Sequence, residues 1–275
     1  MVKLSISVVC YKNSSEQLQS LCDSLLNSIN FYRRYDAESK ITFFVIDNCE
    51  EAYASNKFYV SLRKIFEEQK VDFLYVSGHG NIGYGRAHNL VLQSIDSNYH
   101  LILNPDVIVK EDALQRAVWH MSQHKQVKML GPSAIDLAGK KLYLCKRYPS
   151  ILTLFLRGFA PDSLKRIFSK RLSNYEMRGL SEDKATEGNM LLSGCFMFID
   201  TKAFKVAKGF DERYFLYFED FDLSKRISCL GNLMYAPEVK IVHAGGNTAS
   251  KGYWHILKFF RSGIRFFNTH GWRVI

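Results

Sequence analysis

The first 125 residues alternate short β-branched runs with stretches of helical spacing, and few folds accept that order. "LSISVVCY" (4–11), "ITFFVIDN" (41–48), "VDFLYVS" (71–77) and "HLILNPDV" (100–107) are apolar runs of buried-strand length. Between the first two, Leu18, Leu21, Leu25, Ile29 and Tyr32 recur every three or four positions, which reads as a helix over 15–35. Further helices are read over 57–69, 86–96 and 111–123. A strand that is apolar on both faces needs cover on both, and alternating helices supply it. The expectation is an α/β fold with a Rossmann-like, mostly parallel, doubly wound central sheet. Ligands of such sheets bind beyond the carboxyl ends of the strands. Asp47, the turn at 78–89 and Asp106 all fall at such ends and should converge on one crevice.

After residue 125 the alternation stops. "VKMLGPSAID" and "KKLYLCKRYP" read as strands of a smaller mixed sheet, and 150–180 as basic and irregularly helical. "MLLSGCFMFID" (190–200) reads as one apolar strand. Helices at 201–207 and 220–230 follow, and "NLMYAPEVKIVH" (232–243) closes the core. With no repeat, low-complexity block or Pro/Gly-rich linker, the expected organisation is one compact unit over 1–245. Its halves meet near residue 125, and a basic amphipathic tail follows over 246–275.

The net charge of +10 is concentrated. Residues 146–178 carry eight Lys/Arg against two acids (Asp162 and Glu176), and 246–275 carry five and no acid, so the rest of the chain is near neutral. Two such patches suit an anionic partner or an acidic membrane surface, or are solvated surface and nothing more. No nucleic-acid recognition module accompanies them, so no nucleic-acid partner is expected. Six scattered cysteines without a CxxC pair give neither a metal nor a disulfide framework. The N-terminus enters its first strand without a signal peptide, and no apolar run approaches the ~20 residues that cross a bilayer. A cytoplasmic protein is expected, peripheral at the membrane face. In the tail, Ile256, Phe260, Ile264 and Phe267 form one stripe and His255, Lys258, Arg261 and Arg265 an adjacent one. That pattern fits an interfacial helix or a helix packed on the main unit with its cations reaching to water.

Four stretches carry candidate chemistry. "GHGNIGYGRAHN" (78–89) has glycines for close backbone approach ahead of a helix start, where phosphate is favoured, and is equally an ordinary strand-to-helix turn. In "LNPDV", Asp106 supplies an oxygen ligand suited to Mg²⁺ or Mn²⁺, or caps the next helix. His243 ends the last strand and matters chemically only if it faces Asp106. "YFLYFEDFDLSKR" (214–226) sets Glu219, Asp220 and Asp222 among five aromatic residues. Helix-start electrostatics favours acids there. The aromatic setting would desolvate a carboxylate, raise its pKa and make it a better base.

Read in order, "SISVVCYKN", "FFVIDN", "GNIGYGRAHN", "LILNPDV", "LLSGCFMFIDTKAFKVAKGFDERYFLYFEDFDLSKRI" and "YAPEVKIVH" resemble the family 2 glycosyltransferases of GT-A fold, over residues 4 to about 245. The tail "YWHILKFFRSGIRFFNTHGW", with "GYGRAHN" and "NPDV", is most similar to the rhamnosyltransferase branch. Those enzymes build lipopolysaccharide and other surface polysaccharides from dTDP-L-rhamnose. The resemblance implies a nucleotide-sugar-binding half over 1–125 and an acceptor-binding half over 126–245. It also implies inverting transfer to a hydroxyl of a glycan or lipid-linked glycan at the inner-membrane surface. Asp47 would bind the base or ribose, and Asn81, Gly83, Gly85 and Arg86 would line the nucleotide-diphosphate site. Asn104 and Asp106 stand where the family has its DxD, with Asn104 replacing the first acid and His243 a further metal ligand beside Asp106. Asp220 would be the catalytic base, Glu219 would help position the site, and Ser193 and Gly194 would lie near sugar and acceptor. A UDP-sugar donor, or nucleotide-sugar binding without catalysis, stays open as an alternative.

Overall fold

The computed structural model describes residues 1–49, 57–245 and 253–275. Strands β1 (Lys3–Cys10), β2 (Lys40–Asp47), β3 (Asp72–Val76) and β4 (Tyr99–Leu103) lie parallel in the order β3-β2-β1-β4. The later strands are β5 (Val107–Val109), β6 (Val127–Ile135), β7 (Lys141–Leu142), β8 (Cys145–Lys146), β9 (Thr186–Gly188), β10 (Leu191–Leu192), β11 (Phe196–Asp200) and β12 (Asn232–His243). β11 is inserted antiparallel between β4 and β6, β12 runs parallel to β6, and β5 closes the outer edge antiparallel to β12. The smaller sheet is antiparallel, made of β8 and β10.

Both faces of the sheet are covered, as the apolar runs require. Leu4, Ile6 and Val8 of β1 pack in one cluster with the helices Ser15–Arg33 and Ala113–Gln123. The opposite face, with Val9 and Ile102, packs in another with the helices Tyr84–Asn89, Thr201–Val206 and Glu219–Ser228. Ser5 and Ser7 interrupt that second face and are satisfied internally. Ser5 Oγ lies 2.7 Å from His100 Nδ1, and Ser7 Oγ bridges His100 Nε2 (2.9 Å) and His88 Nδ1 (2.7 Å). Burial pushes His100 down to about 3, so the ring is neutral and can accept as well as donate.

Three sequence-based boundaries change. "LILNPDV" is two strands separated by a turn at 104–106, because β5 leaves β4 to pair with β12 at the far edge. "MLLSGCFMFID" is also two strands: β10 pairs with β8 in the small sheet and β11 joins the main one. The helix read over 86–96 is Tyr84–Asn89 followed by a short 3₁₀ turn at Leu92–Ser94. It ends where the Asn89 amide turns aside to bond both the N–H and the C=O of Phe210.

The C-terminal helix Tyr253–His270 packs on the main unit through Phe266 and Phe267, both buried with Tyr214, Phe218 and Leu191. Phe267 therefore does not share the exposed stripe of Ile256, Phe260 and Ile264. The expected boundary at 245/246 adjoins residues 246–252, which lie outside the described residues. Asp222 locks the helix down: its fully buried carboxylate accepts from His270 Nε2 at 2.8 Å and from Arg226 Nε at 2.7 Å. Helix-start electrostatics is thus not what Asp222 is for. Asp222→Ala would leave the Arg226 guanidinium and the His270 ring without their shared buried partner, so urea denaturation should show a loss of about 3–5 kcal/mol.

Candidate active site

Residues 193–195 cross from one sheet to the other at the carboxyl end of β4, and their backbone gathers the surrounding elements. Ser193 N–H donates to the Leu144 carbonyl and Asn104 N–H to the Cys195 carbonyl. Gly194 N–H donates to Asp220 Oδ2 at 3.0 Å, and the Gly194 carbonyl accepts from Tyr84 Oη at 2.7 Å. A Cβ at residue 194 would press on both Asp220 and Tyr84, at 3.3 and 3.4 Å.

Asp220 is delivered by an unusual turn. Tyr217 and Phe218 both have φ near +70° immediately before the helix Glu219–Ser228. Bulky residues in the left-handed region cost about 1–3 kcal/mol each and persist only where the surroundings impose them. Here Phe218 is buried against Phe259 and Phe266, and Tyr217 Oη lies 2.8 Å from His255 Nδ1. The tail helix thus holds the turn, and the turn aims the first residues of the acidic helix into a cavity.

That cavity, about 490 Å³, collects Asn104, Asp106, Ser193, Gly194, Glu219, Asp220 and His243 in one lining. Asp106 Oδ1 lies 3.2 Å from His243 Nε2, so the histidine does face the acid. The Ala244 N–H caps the Asp106 carbonyl, fixing the end of β12 against the turn at 104–106.

The two acids differ in their surroundings. Burial raises Asp220 to about 6, against the N–H groups of Gly194 and Phe221 that favour its charged form. Burial pushes Glu219 well above the usual carboxylate range, with the neighbouring Asp220 charge adding to it, and Glu219 Oε2 has no partner among the described residues. Burial therefore disfavours charge on Glu219 more than on Asp220, whose two N–H donors favour the carboxylate. Tyr84 is likewise held neutral by burial first and by Glu219, Asp220 and Asp106 after it.

Other expected site residues lie outside the cavity lining. Asp47 is buried at the end of β2, accepting from Tyr75 Oη at 2.7 Å and Cys49 N–H at 2.9 Å. Asn81 Oδ1 accepts from Gly83 N–H. Gly83 has φ +95°, and its Cβ would sit 2.5 Å from the Phe215 carbonyl, so this turn is docked directly on the aromatic loop. Gly85 gives the Phe210 side chain room, and Arg86 Nε donates to the Glu212 carbonyl. Sequence reasoning missed Tyr84, Lys146, Arg157, Glu176, His255 and Phe259, all in the lining. Their only signals were the glycine-rich turn that holds Tyr84, the basic stretch at 146–178 and the aromatic tail, none of which shows which side chains turn inward.

A carboxylate and an imidazole 3.2 Å apart, with the Asn104 amide in the same wall, are oxygen and nitrogen donors of the kind that hold a divalent metal ion. Among the described residues, no three His, Cys, Asp or Glu side chains gather into a fuller cage.

The chain is 28% identical to rhamnosyltransferase WbbL of Escherichia coli K12 over 205 residues, 68% of this chain and 72% of that one. It is 27% identical to the N-acetylglucosaminyl-diphospho-decaprenol L-rhamnosyltransferase of Mycobacterium tuberculosis over 177 residues, 59% of this chain and 56% of that one. The match therefore spans little more than half of the mycobacterial protein. No family model matches the chain. Among solved structures, GalNAc-T7 with UDP, GalNAc and Mn²⁺ superposes with TM-score 0.64 at 14% identity, over 98% of this chain and 48% of that one. The mannosyltransferase PcManGT of Pyrobaculum calidifontis, with GDP-Man and Mn²⁺, gives 0.59 at 13%, over 95% and 64%. At such identities these two establish the fold alone.

Gly83→Ala should shift the 214–218 loop and lower both the melting temperature and the activity of the site. Gly139→Ala, also at positive φ (+79°) but in open space, should cost about 1 kcal/mol and leave activity intact. Melting curves and turnover on the two variants check the contrast.

Taken together, the sheet order and the comparisons give this chain the GT-A glycosyltransferase fold and a likeness in sequence to rhamnosyltransferases.

Proposed function

We propose that the protein is an inverting rhamnosyltransferase, moving L-rhamnose from dTDP-L-rhamnose to a hydroxyl of lipopolysaccharide or another cell-surface glycan. The observation that carries this reading is Asp220: a carboxylate raised to about 6, fixed by two N–H donors, in the same cavity as Asp106 and His243. Its proton affinity is matched to general-base work near neutral pH. The acceptor oxygen forms a bond to the anomeric carbon as Asp220 takes its proton. The bond from that carbon to the diphosphate breaks, and the electron pair leaves with the nucleoside diphosphate. With one base and a single displacement, dTDP-β-L-rhamnose yields an α-linked product.

Burial pushes Glu219 toward its neutral form, which limits negative charge beside Asp220, and Tyr84 orients the Gly194 peptide that donates to Asp220. Asp106 and His243 would hold Mg²⁺ or Mn²⁺ against the donor; when bound, the ion offsets charge on the leaving diphosphate. Two of the structural neighbours named above were solved with Mn²⁺, which supports a divalent ion here. Asp47 and the turn bearing Asn81, Gly83 and Gly85 are read as the nucleotide side of the site.

Asp220→Asn should cut transfer by about 10²–10⁴-fold while donor binding persists, measured by nucleotide release and calorimetry. Transfer that survives the change would refute the base assignment. Because Asp220 acts unprotonated, kcat should climb as pH rises through about 6, on a limb that Asp220→Asn removes. A donor panel with and without Mg²⁺ or Mn²⁺ tests specificity: faster release from a UDP-sugar than from dTDP-rhamnose would overturn the rhamnosyl assignment and leave the transferase reading intact.

A further inference from the structure

The imidazole of His88 has no part in the mechanism above, yet it is buried one step behind the site. Its helix, Tyr84–Asn89, has six residues and follows a segment with glycines at 78, 80 and 83. Glycine adds to the entropy lost on ordering, and so short a helix cannot sustain itself. It needs anchors outside itself. Asn89 supplies one on the Phe210 side, and His88 supplies the one on the sheet side.

His88 Nδ1 lies 2.7 Å from Ser7 Oγ, which lies 2.9 Å from His100 Nε2. From His100 Nδ1 the row of hydrogen bonds runs on to Ser5 Oγ (2.7 Å), Ser97 Oγ (2.7 Å) and Thr201 Oγ1 (3.1 Å). It ties the short helix to β1, to β4 and to the helix Thr201–Val206. Burying so many polar groups brings little net stability, but each group loses its partner if the helix slides, so the row holds one arrangement. His88 Nε2 has no hydrogen-bond partner among the described residues, which leaves the bond to Ser7 to set the rotation of the ring.

The same ring meets the Tyr84 ring edge to face, with centroids 4.6 Å apart, and Phe210 packs against both. Tyr84 Oη donates to the Gly194 carbonyl, and Gly194 N–H donates to Asp220 Oδ2. Burial first, and His100 second, push the His88 pKa well below the usual histidine range, so the ring is neutral. Its influence on Asp220 is therefore geometric.

We propose that His88 is a positioning residue of the active site: anchored by Ser7, its ring holds the Tyr84 phenol on the Gly194 carbonyl and so keeps the Gly194 N–H aimed at Asp220. This role rests on the transferase reading for its kinetic consequence, while the geometry it describes exists without substrate. A donated N–H favours the charged carboxylate. If Tyr84 drifts, that bond loosens and Asp220 holds its proton to higher pH. A histidine that only filled the core would affect stability and nothing at Asp220.

The test follows the Gly194 amide of the full, ¹⁵N-labelled chain by NMR as pH is varied, because this N–H contacts Asp220 directly. In the unmodified protein its shift should titrate with a midpoint of about 6. Tyr84, Tyr175 and Cys195 also lie near Asp220, and burial keeps all three neutral at that pH; burial pushes Glu219 higher than Asp220. Asp106, His243, Lys146 and Arg157 stand in the same cavity wall and are untouched by the variants. His88→Asn keeps an amide within reach of Ser7 and removes the ring, so the midpoint should move up by about half a pH unit or more, and the acidic limb of kcat with it. Ser7→Ala frees the ring without removing it and should move the midpoint the same way. Tyr84→Phe should do so too, and adding His88→Asn to it should move the midpoint no further, since His88 acts through that hydroxyl. Thr201→Val, at the far end of the row, should lower the melting temperature and leave the midpoint in place.

A midpoint unmoved in both His88→Asn and Ser7→Ala, with only the melting temperature lowered, would make His88 a core residue and overturn the proposal. So would shifts from His88→Asn and Tyr84→Phe that add in the double variant, or an equal shift in Thr201→Val. The amide titration needs no turnover. A midpoint that moves as expected in a protein that transfers no sugar would count against the proposed activity and leave the positioning role standing.

Discussion

The peptide units of residues 193–195 are the joint on which the site depends. Four hydrogen bonds meet there: Gly194 N–H to Asp220, Tyr84 Oη to the Gly194 carbonyl, Ser193 N–H to Leu144, and Asn104 N–H to Cys195. Each partner comes from a different part of the chain. A buried backbone group needs a partner, so a strand that leaves one sheet for another must find its bonds along the way. In this protein it finds them on the acidic helix, the glycine-rich turn and the Asn-Pro-Asp turn. The break between β10 and β11 is therefore also what fixes Asp220 relative to Asp106.

The three acids of "YFLYFEDFDLSKR" separate into three roles because burial treats them differently. Asp222 is wholly buried and compensated by Arg226 and His270, which makes it a tether for the C-terminal helix. Glu219 is buried without such partners and is driven toward its neutral form. Asp220 keeps access to the cavity and two N–H donors, so its pKa rises only to about 6. Such pairs of carboxyls pushed apart by their environments are how acid–base roles are divided in one site.

The tail helix is part of the same construction. Its Phe259, Phe266 and His255 hold the Tyr217–Phe218 turn in left-handed geometry, and His270 fixes the far side of the acidic helix through Asp222. Its opposite face leaves Phe260 and Ile264 exposed beside the helix Ile151–Phe159. Of the two readings of the tail made from sequence, packing on the main unit is the one the structure shows. The helix is packed on the main unit, and it still carries an apolar outer stripe. Among the described residues, no helix is long and apolar enough to cross a membrane.

Local pattern alone was enough to reveal the α/β alternation, the parallel run β1 to β4, and the ordered motifs that resemble the family 2 glycosyltransferases. Apolar period and strand-end acids are properties of neighbouring residues, which is why they could be read directly. The convergence of Asn104, Asp106, Ser193, Gly194, Glu219, Asp220 and His243 followed from those motifs once the fold was known. Tertiary structure decided the rest. Both long apolar runs, "LILNPDV" and "MLLSGCFMFID", looked like single strands because hydrophobicity does not record which neighbour a strand pairs with. Lys146, Arg157 and Glu176 looked like surface charge because a basic stretch carries no sign of which side chains turn inward. Asp222 and Asp220 are two residues apart in one acidic run. Only the packing of a helix some 50 residues later makes one a tether and leaves the other free to act.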